Sequence, residues 1–250
     1  MRLGILSDIH SNPFALNAVL KDFKSYNVEL VLCAGDIFGY YPWEEETFAM
    51  LQHLNWKAVL GNHDRLILEI LGCASYLGEK GKQFFRSVCY EAELLIGQRL
   101  SLDGRRWLMS LPLTLEFNIG EWIIKMVHGR PDDLLEGRFY PDNTEAFNWF
   151  PGKREILILG HTHYPLIKKM ENGGLLLNAG SVGQPRDGDP RPSWLLLDID
   201  PTGSSIRQPI VHRVAYNQFE AMAILQRKNW PKALINALNK TSQRLMDQGL

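Results

Sequence analysis

Short apolar runs recur through the first quarter of the chain, each closed by a small polar signature. Residues 2–7 read as a buried strand, with Asp8 and His10 at its exit. Pro13 then opens a helical pattern over 14–23 that puts Leu16, Val19, Leu20 and Phe23 on one face. Residues 30–34 form a second apolar run, ending at Gly35-Asp36. A helix is expected over 44–54, opened by Pro42 and acidic in its first turn, where negative charge suits the helix dipole. A third strand at 57–60 ends at Gly61-Asn62. Strands alternating with helices in this way imply βαβ units and a stretch of parallel sheet.

Residues 65–111 read as mostly helical, with breaks expected at Gly72, at 78–81 and at Asp103-Gly104; this stretch would cover the sheet or wall one side of a site. From Leu113 the pattern becomes β-like. Residues 114–117 and 122–127 flank Asn118-Ile119-Gly120-Glu121 as a hairpin, and strands follow at 155–159, 175–178, 193–198 and 206–214. The tail, 216–247, reads as helical with a break at Pro231. With no internal repeat, low-complexity tract or linker in the sequence, one domain spanning 1–250 is expected.

Composition narrows the function classes. Hydrophobic residues at 45% and charged residues at 22% are those of an ordinary soluble protein. A net charge of −1 offers no basic surface for a stable nucleic-acid complex or for a membrane, and neither partner is expected. Three cysteines, without C-x-x-C spacing, read as incidental thiols in a reducing compartment. No apolar run approaches the roughly 20 residues a bilayer demands, so cytoplasmic residence is expected. Oligomeric state is not legible.

The polar signatures carry the chemistry: Asp8-Ile9-His10, Gly35-Asp36, Gly61-Asn62-His63-Asp64, His128-Gly129 and Gly160-His161-Thr162-His163. Each follows a run that reads as a strand, and strand ends in an α/β sheet are where distant residues converge on one ligand site. Carboxylate, imidazole and amide oxygen together suit two divalent cations holding a phosphate. Such a pair, roughly 3.5–4 Å apart, activates water and neutralises developing charge. Asp36, ending a central strand, is the candidate shared ligand. Asp8-x-His10 places a carboxylate and an imidazole on the same side of an extended segment, and His161-x-His163 repeats that geometry. Asn62 offers a neutral oxygen that does not repel phosphate.

In order and spacing, these five blocks resemble the calcineurin-like metallophosphoesterases, whose motifs run D-x-H, G-D, G-N-H-D/E, H and G-H-x-H. The resemblance implies an α/β fold, a four-layer α/β/β/α sandwich. It also implies two divalent metal ions per chain, Mn2+ first among Fe, Zn, Ni and Co. Matched by motif position, one metal takes Asp8, His10, Asp36 and His163, and the other takes Asp36, Asn62, His128 and His161. His63 would lie over the phosphate as the general acid, with Asp64 orienting its ring; Asp64 could instead cap a following helix. The implied reaction is hydrolysis of a small phosphodiester or phosphomonoester, with nucleotides among the candidate substrates, by a metal-bridging hydroxide. Protein-phosphatase relatives carry G-D-x-x-D-R-G, whereas here Asp36 is followed by Ile37-Phe38-Gly39-Tyr40, without that arginine. Relatives that serve only as scaffolds have lost ligand histidines, and none is missing here.

Other residues are candidates by position. Asn12 and Arg130 flank ligand residues, and Arg186 or Arg191, in the Gly- and Pro-rich run 178–191, could reach phosphate; ion pairs with Asp187 or Asp189 are the plainer reading. Tyr40, Tyr41 and Trp43 could stack on a base or simply pack. His53 and His212 stand outside every motif and read as structural or surface residues.

Overall fold

In the computed structural model, residues 1–73, 88–200 and 202–239 are described. Two five-stranded sheets lie face to face. The first holds β1 (Arg2–Leu6), β2 (Leu30–Cys33), β3 (Trp56–Ala58), β9 (Ser193–Asp198) and β10 (Ile210–Arg213), in the order β10-β9-β1-β2-β3. Its β1, β2 and β3 run parallel, as the βαβ pattern requires, while β9 returns antiparallel beside β1. The second holds β4 (Thr114–Ile119), β5 (Trp122–Val127), β6 (Glu155–Leu159), β7 (Pro165–Lys169) and β8 (Leu175–Ala179), in the order β4-β5-β6-β8-β7.

Side-chain alternation builds both layers of core. Leu30 and Leu32 of β2 turn inward against the second sheet, where Ile124, Ile156 and Leu177 meet them. Val31 and Cys33 turn outward to α1 (Pro13–Ser25), α2 (Glu44–Leu51), α3 (Asn62–Ile70), α4 (Val88–Arg99) and α5 (Leu102–Met109). Gly4 is required where β1 passes under α1, since a Cβ there would lie 2.9 Å from the Phe23 ring. On the outer face of the second sheet the cover is the segment 130–154, whose Phe139, Phe147, Trp149 and Phe150 pack on Leu157, Leu159 and Leu176. The tail forms α6 (Gln218–Arg227), beside α1, and α7 (Lys232–Ala237), with Pro231 at the break between them.

Several sequence expectations shift. β3 stops at Ala58 because Leu60 N–H leaves the sheet to pair with Pro112 O at 2.8 Å. The expected break at Asp103-Gly104 lies inside α5; Ser101 Oγ accepts from Gly104 N at 3.1 Å and starts the helix there. β7 was not legible, because it is an edge strand whose Lys168 and Lys169 blunt its apolar pattern. The strand expected over 206–214 is shorter, leaving Ile206 in an isolated bridge to Ile199. The break expected at 78–81 and the tail beyond 239 lie outside the described residues.

Candidate metal centre

The exits of β1, β2, β5 and β6 and the start of α3 meet at one end of the two sheets. Three backbone bonds join the first two exits: Asp8 N–H donates to Gly35 O, His10 N–H to Asp36 O and Ser11 N–H to Ile37 O, each at 3.0 Å. Gly160 N–H donates to His128 O at 2.8 Å and ties the two exits of the second sheet. Glycines permit this closeness. A Cβ on Gly160 would fall 2.2 Å from Ser7 Oγ, and one on Gly61 would fall 2.0 Å from Asp36 Oδ1.

Of the seven expected ligands, five sit in left-handed backbone: Asp8 (φ 53°), His10 (50°), Asp36 (53°), His161 (67°) and His163 (60°). Such conformations cost about 1–3 kcal/mol each and persist where surrounding structure enforces them, most often at functional sites. All seven are buried. Donor atoms of Asp8, His10 and His163 lie within 4.8 Å of one another, as do those of Asp36, His128 and His161, and those of His10, Asp36 and His63. Asn62 Oδ1 joins the second set, 2.9 Å from His128 Nε2.

Asp36 links these sets through a single oxygen. Its Oδ2 lies 3.9 Å from His10 Nε2 and 3.3 Å from His128 Nε2, whereas Oδ1 accepts the His63 backbone N–H at 2.9 Å. The rings are aimed by their far nitrogens: His128 Nδ1 donates to Ala34 O at 2.7 Å and His163 Nδ1 to Gln184 O at 2.5 Å, so each Nε2 faces inward. Burial lowers the basicity of His10, His161 and His163, leaving neutral rings suited to metal. For His128 burial acts in the same sense, but the Asp36 carboxylate outweighs it and raises the ring to about 10. Burial likewise works against ionisation of Asp36, and His128 followed by His63 reverses it, holding the acid well below its usual range.

The donor set fits divalent cations. Asp8 Oδ1 and His161 Nε2 are buried atoms with no hydrogen-bond partner among the described residues. His10 Nε2 and His163 Nε2 face each other at 3.2 Å, two ring nitrogens converging beside a carboxylate. Such an arrangement suits a shared cation of borderline hardness.

The remaining candidates take different places. Both Asp64 oxygens are occupied by backbone: Oδ1 accepts from Ile37 N and Phe38 N, at 3.0 and 2.9 Å, and Oδ2 from Gly61 N at 3.1 Å. Its carboxylate therefore caps α3 and braces the Asp36 loop, which is the capping role rather than the expected grip on the His63 ring. Burial, then the charge of Asp36, pushes this acid up to about 7 despite those amides. Asn12 caps α1 and donates to Gly183 O at 3.2 Å, so its amide faces inward instead of toward substrate. Arg130 pairs with Asp132 at 3.0 Å and lies over the Phe147 ring. Arg191 pairs with Asp189 at 2.6 Å, the plainer of its two readings. Arg186 does approach the centre, its Nη2 donating to Tyr40 Oη at 3.0 Å and Gln184 Oε1 at 3.1 Å. Tyr40, Tyr41 and Trp43 are buried and pack with the tail helices rather than offering a face to a base. His212 stacks on Trp194 at 4.3 Å, a structural contact.

Sequence reasoning missed two contributors. Asn178, near the end of β8, donates to Gly160 O at 2.7 Å and Thr162 Oγ1 at 3.2 Å, fixing the His161–His163 turn. Its place at the head of Asn178-Ala179-Gly180-Ser181 was the available signal. Glu136 brings Oε2 to 4.0 Å from His161 Nε2 with no motif to announce it.

Two mixed sheets carrying histidine and aspartate groups able to hold metal at their joined ends define a metallophosphoesterase-type α/β fold. The chain belongs to the calcineurin-like phosphoesterase superfamily, whose domain pattern matches residues 1–202. An uncharacterised protein of Methanocaldococcus jannaschii is 32% identical over 78% of this chain and 82% of its own length. A metallophosphoesterase from Sphaerobacter thermophilus superposes with a TM-score of 0.71 at 28% identity, covering 96% of this chain and all 100% of that one. A hypothetical protein from Pyrococcus horikoshii shares the fold, with a TM-score of 0.78 at 20% identity over 97% of this chain and 99% of that one. The family uses divalent metals and includes phosphoester hydrolases. No helix among the described residues is long and apolar enough to cross a membrane.

Proposed function

We propose that the chain hydrolyses small phosphodiesters or phosphomonoesters, nucleotides among the candidates, with two divalent cations and Mn2+ as the first choice. The observation that carries this reading is Asp36 Oδ2, which faces both ligand sets at 3.9 and 3.3 Å from their histidine nitrogens. Asp8, His10, Asp36 and His163 would hold one cation, and Asp36, Asn62, His128 and His161 the other. When bound, the pair supplies an activated water and neutralises charge on the phosphoryl oxygens.

The protein's own groups do the rest. The Arg186 guanidinium, held beside His10 and His163, binds a phosphoryl oxygen. His63 donates a proton from its ring nitrogen to the departing ester oxygen; its donor atom lies within 4.8 Å of those of His10 and Asp36. That same closeness favours a second reading, in which His63 is itself a ligand, and metal content in its absence distinguishes the two.

The test is a metal-reconstituted screen of phosphomonoesters, cyclic nucleotides and dinucleoside polyphosphates, read as relative kcat/KM. Chelation is expected to abolish turnover of an activated aryl phosphodiester, and Mn2+ to restore it. Full activity in excess chelator would refute the proposal.

A further inference from the structure

We propose that the C-terminal helices, beyond the residues that match the family domain, position the leaving-group histidine, His63, through Tyr40. The inference rests on the proton-donor role assigned to His63 above.

Tyr40 sits on the loop leaving Asp36 and touches three parts of the centre. Its ring centroid lies 4.2 Å from that of His10 and 4.4 Å from that of His63, and its hydroxyl accepts from Arg186 at 3.0 Å. The ring thus fills the space against which the His63 imidazole would otherwise turn. Tyr40 itself is in left-handed backbone, φ 55°, a strained state for a side chain of this size and one that needs outside support.

That support comes from the tail. The buried Trp230 Nε1 donates to Tyr40 O at 2.7 Å. Tyr41 Oη donates to Leu234 O and Asn12 Nδ2 donates to Tyr216 Oη, both at 3.4 Å. Tyr40, Tyr41 and Trp43 form one buried cluster with Leu225, Trp230 and Leu234. Trp230 and Leu234 both lie past residue 202, where the family match stops. A carbonyl held by an indole N–H and a ring held by apolar packing give the loop one conformation, and a proton donor acts only from a defined position.

Two variants of the full chain test this. Trp230→Phe keeps an aromatic ring and removes the N–H, while Tyr40→Leu removes the ring against His63. With Mn2+ bound, Trp230→Phe is expected to lose about tenfold in kcat/KM on an aryl phosphodiester whose leaving group is phenol, and less than about twofold when it is p-nitrophenol. Tyr40→Leu, which also takes the hydroxyl from Arg186, is expected to lose on both esters but more on the phenyl ester. A positioned acid matters most for the leaving group that most needs a proton. A merely weakened fold would lower both rates alike. Independently of turnover, and with diamagnetic Zn2+ in place of Mn2+, the ring carbon NMR signal of His63, assigned with His63→Gln, is expected to shift or broaden in both variants while those of His53 and His212 stay in place. Equal losses on the two esters, or an unmoved His63 signal, would overturn the proposal. Because the ring signal needs no hydrolysis, a wild-type chain that cleaves neither ester refutes the proposed function and leaves the brace to be decided by NMR alone.

Discussion

Replacing Gly61 by alanine changes no ligand, yet it should dismantle the metal centre. The residue's own backbone (φ −95°, ψ 176°) accommodates any side chain, so the effect is purely one of space. The new Cβ would stand 2.0 Å from Asp36 Oδ1 and 2.2 Å from Asp36 N. Non-bonded heavy atoms settle near 3.5 Å, so about 1 Å or more of movement is forced. Asp36 cannot yield by a rotamer change alone, because its backbone is crowded as well as its carboxylate. A shift of that size exceeds the roughly 0.2 Å latitude of metal–ligand distances. Overpacking of this kind costs about 1–3 kcal/mol. At about 2–4 °C per kcal/mol for a chain of this size, Tm should fall by roughly 2–12 °C. Displacing a reacting assembly by about 1 Å costs on the order of 100-fold in rate, the loss expected in kcat/KM. Elemental analysis, calorimetry and aryl-ester hydrolysis measure the three effects. Gly173→Ala is the contrasting control: unlike Gly61 it has a positive φ, 90°, but nothing lies within 4 Å of its Cβ position. It should lose about 1–2 kcal/mol of stability and no metal. A Gly61→Ala protein that binds metal and turns over like wild type would show that close packing around Asp36 is irrelevant.

Asp36→Asn should lower occupancy of both metals, since its Oδ2 faces both ligand sets; two tightly held ions in elemental analysis would remove it as the shared ligand. His63→Ala should keep its metals and lose roughly 10²–10⁴-fold in rate, whereas loss of metal would favour the ligand reading. Glu44, buried at the start of α2, has its carboxyl raised by burial from 4.5 to about 7. An acid raised on folding contributes stability that is present in full below its unfolded value and is lost as pH climbs through its folded value. At about 1.36 kcal/mol per tenfold change in proton affinity the loss is somewhat above 3 kcal/mol, reduced to about 2 by the favourable helix N-terminus. Glu44→Gln should therefore match wild type at pH 4 and exceed it by about 2 kcal/mol at pH 8; a pH-independent difference in denaturant midpoint would contradict this.

The kinds of residue at each strand exit, and their order, were legible because both signals are local. An apolar run followed by Asp8-x-His10 or Gly35-Asp36 states a strand and its end within a few positions, and glycines beside Asp36 and His161 mark close approach. The edge strand β7 was not legible, since its lysines remove the apolar contrast on which such reading depends. Nor could the sequence say which competing role a side chain takes. Asp64 caps because Ile37 and Phe38, at separations of 27 and 26 residues, turn their amides onto it. The aromatics after Asp36 are buried by a tail whose Trp230 lies 190 residues from Tyr40. The chain alone thus determined what chemistry is present and where each strand delivers it. Only the packing of the sheets and the tail decided which atoms meet, because that choice belongs to contacts between distant segments whose separation leaves no local trace.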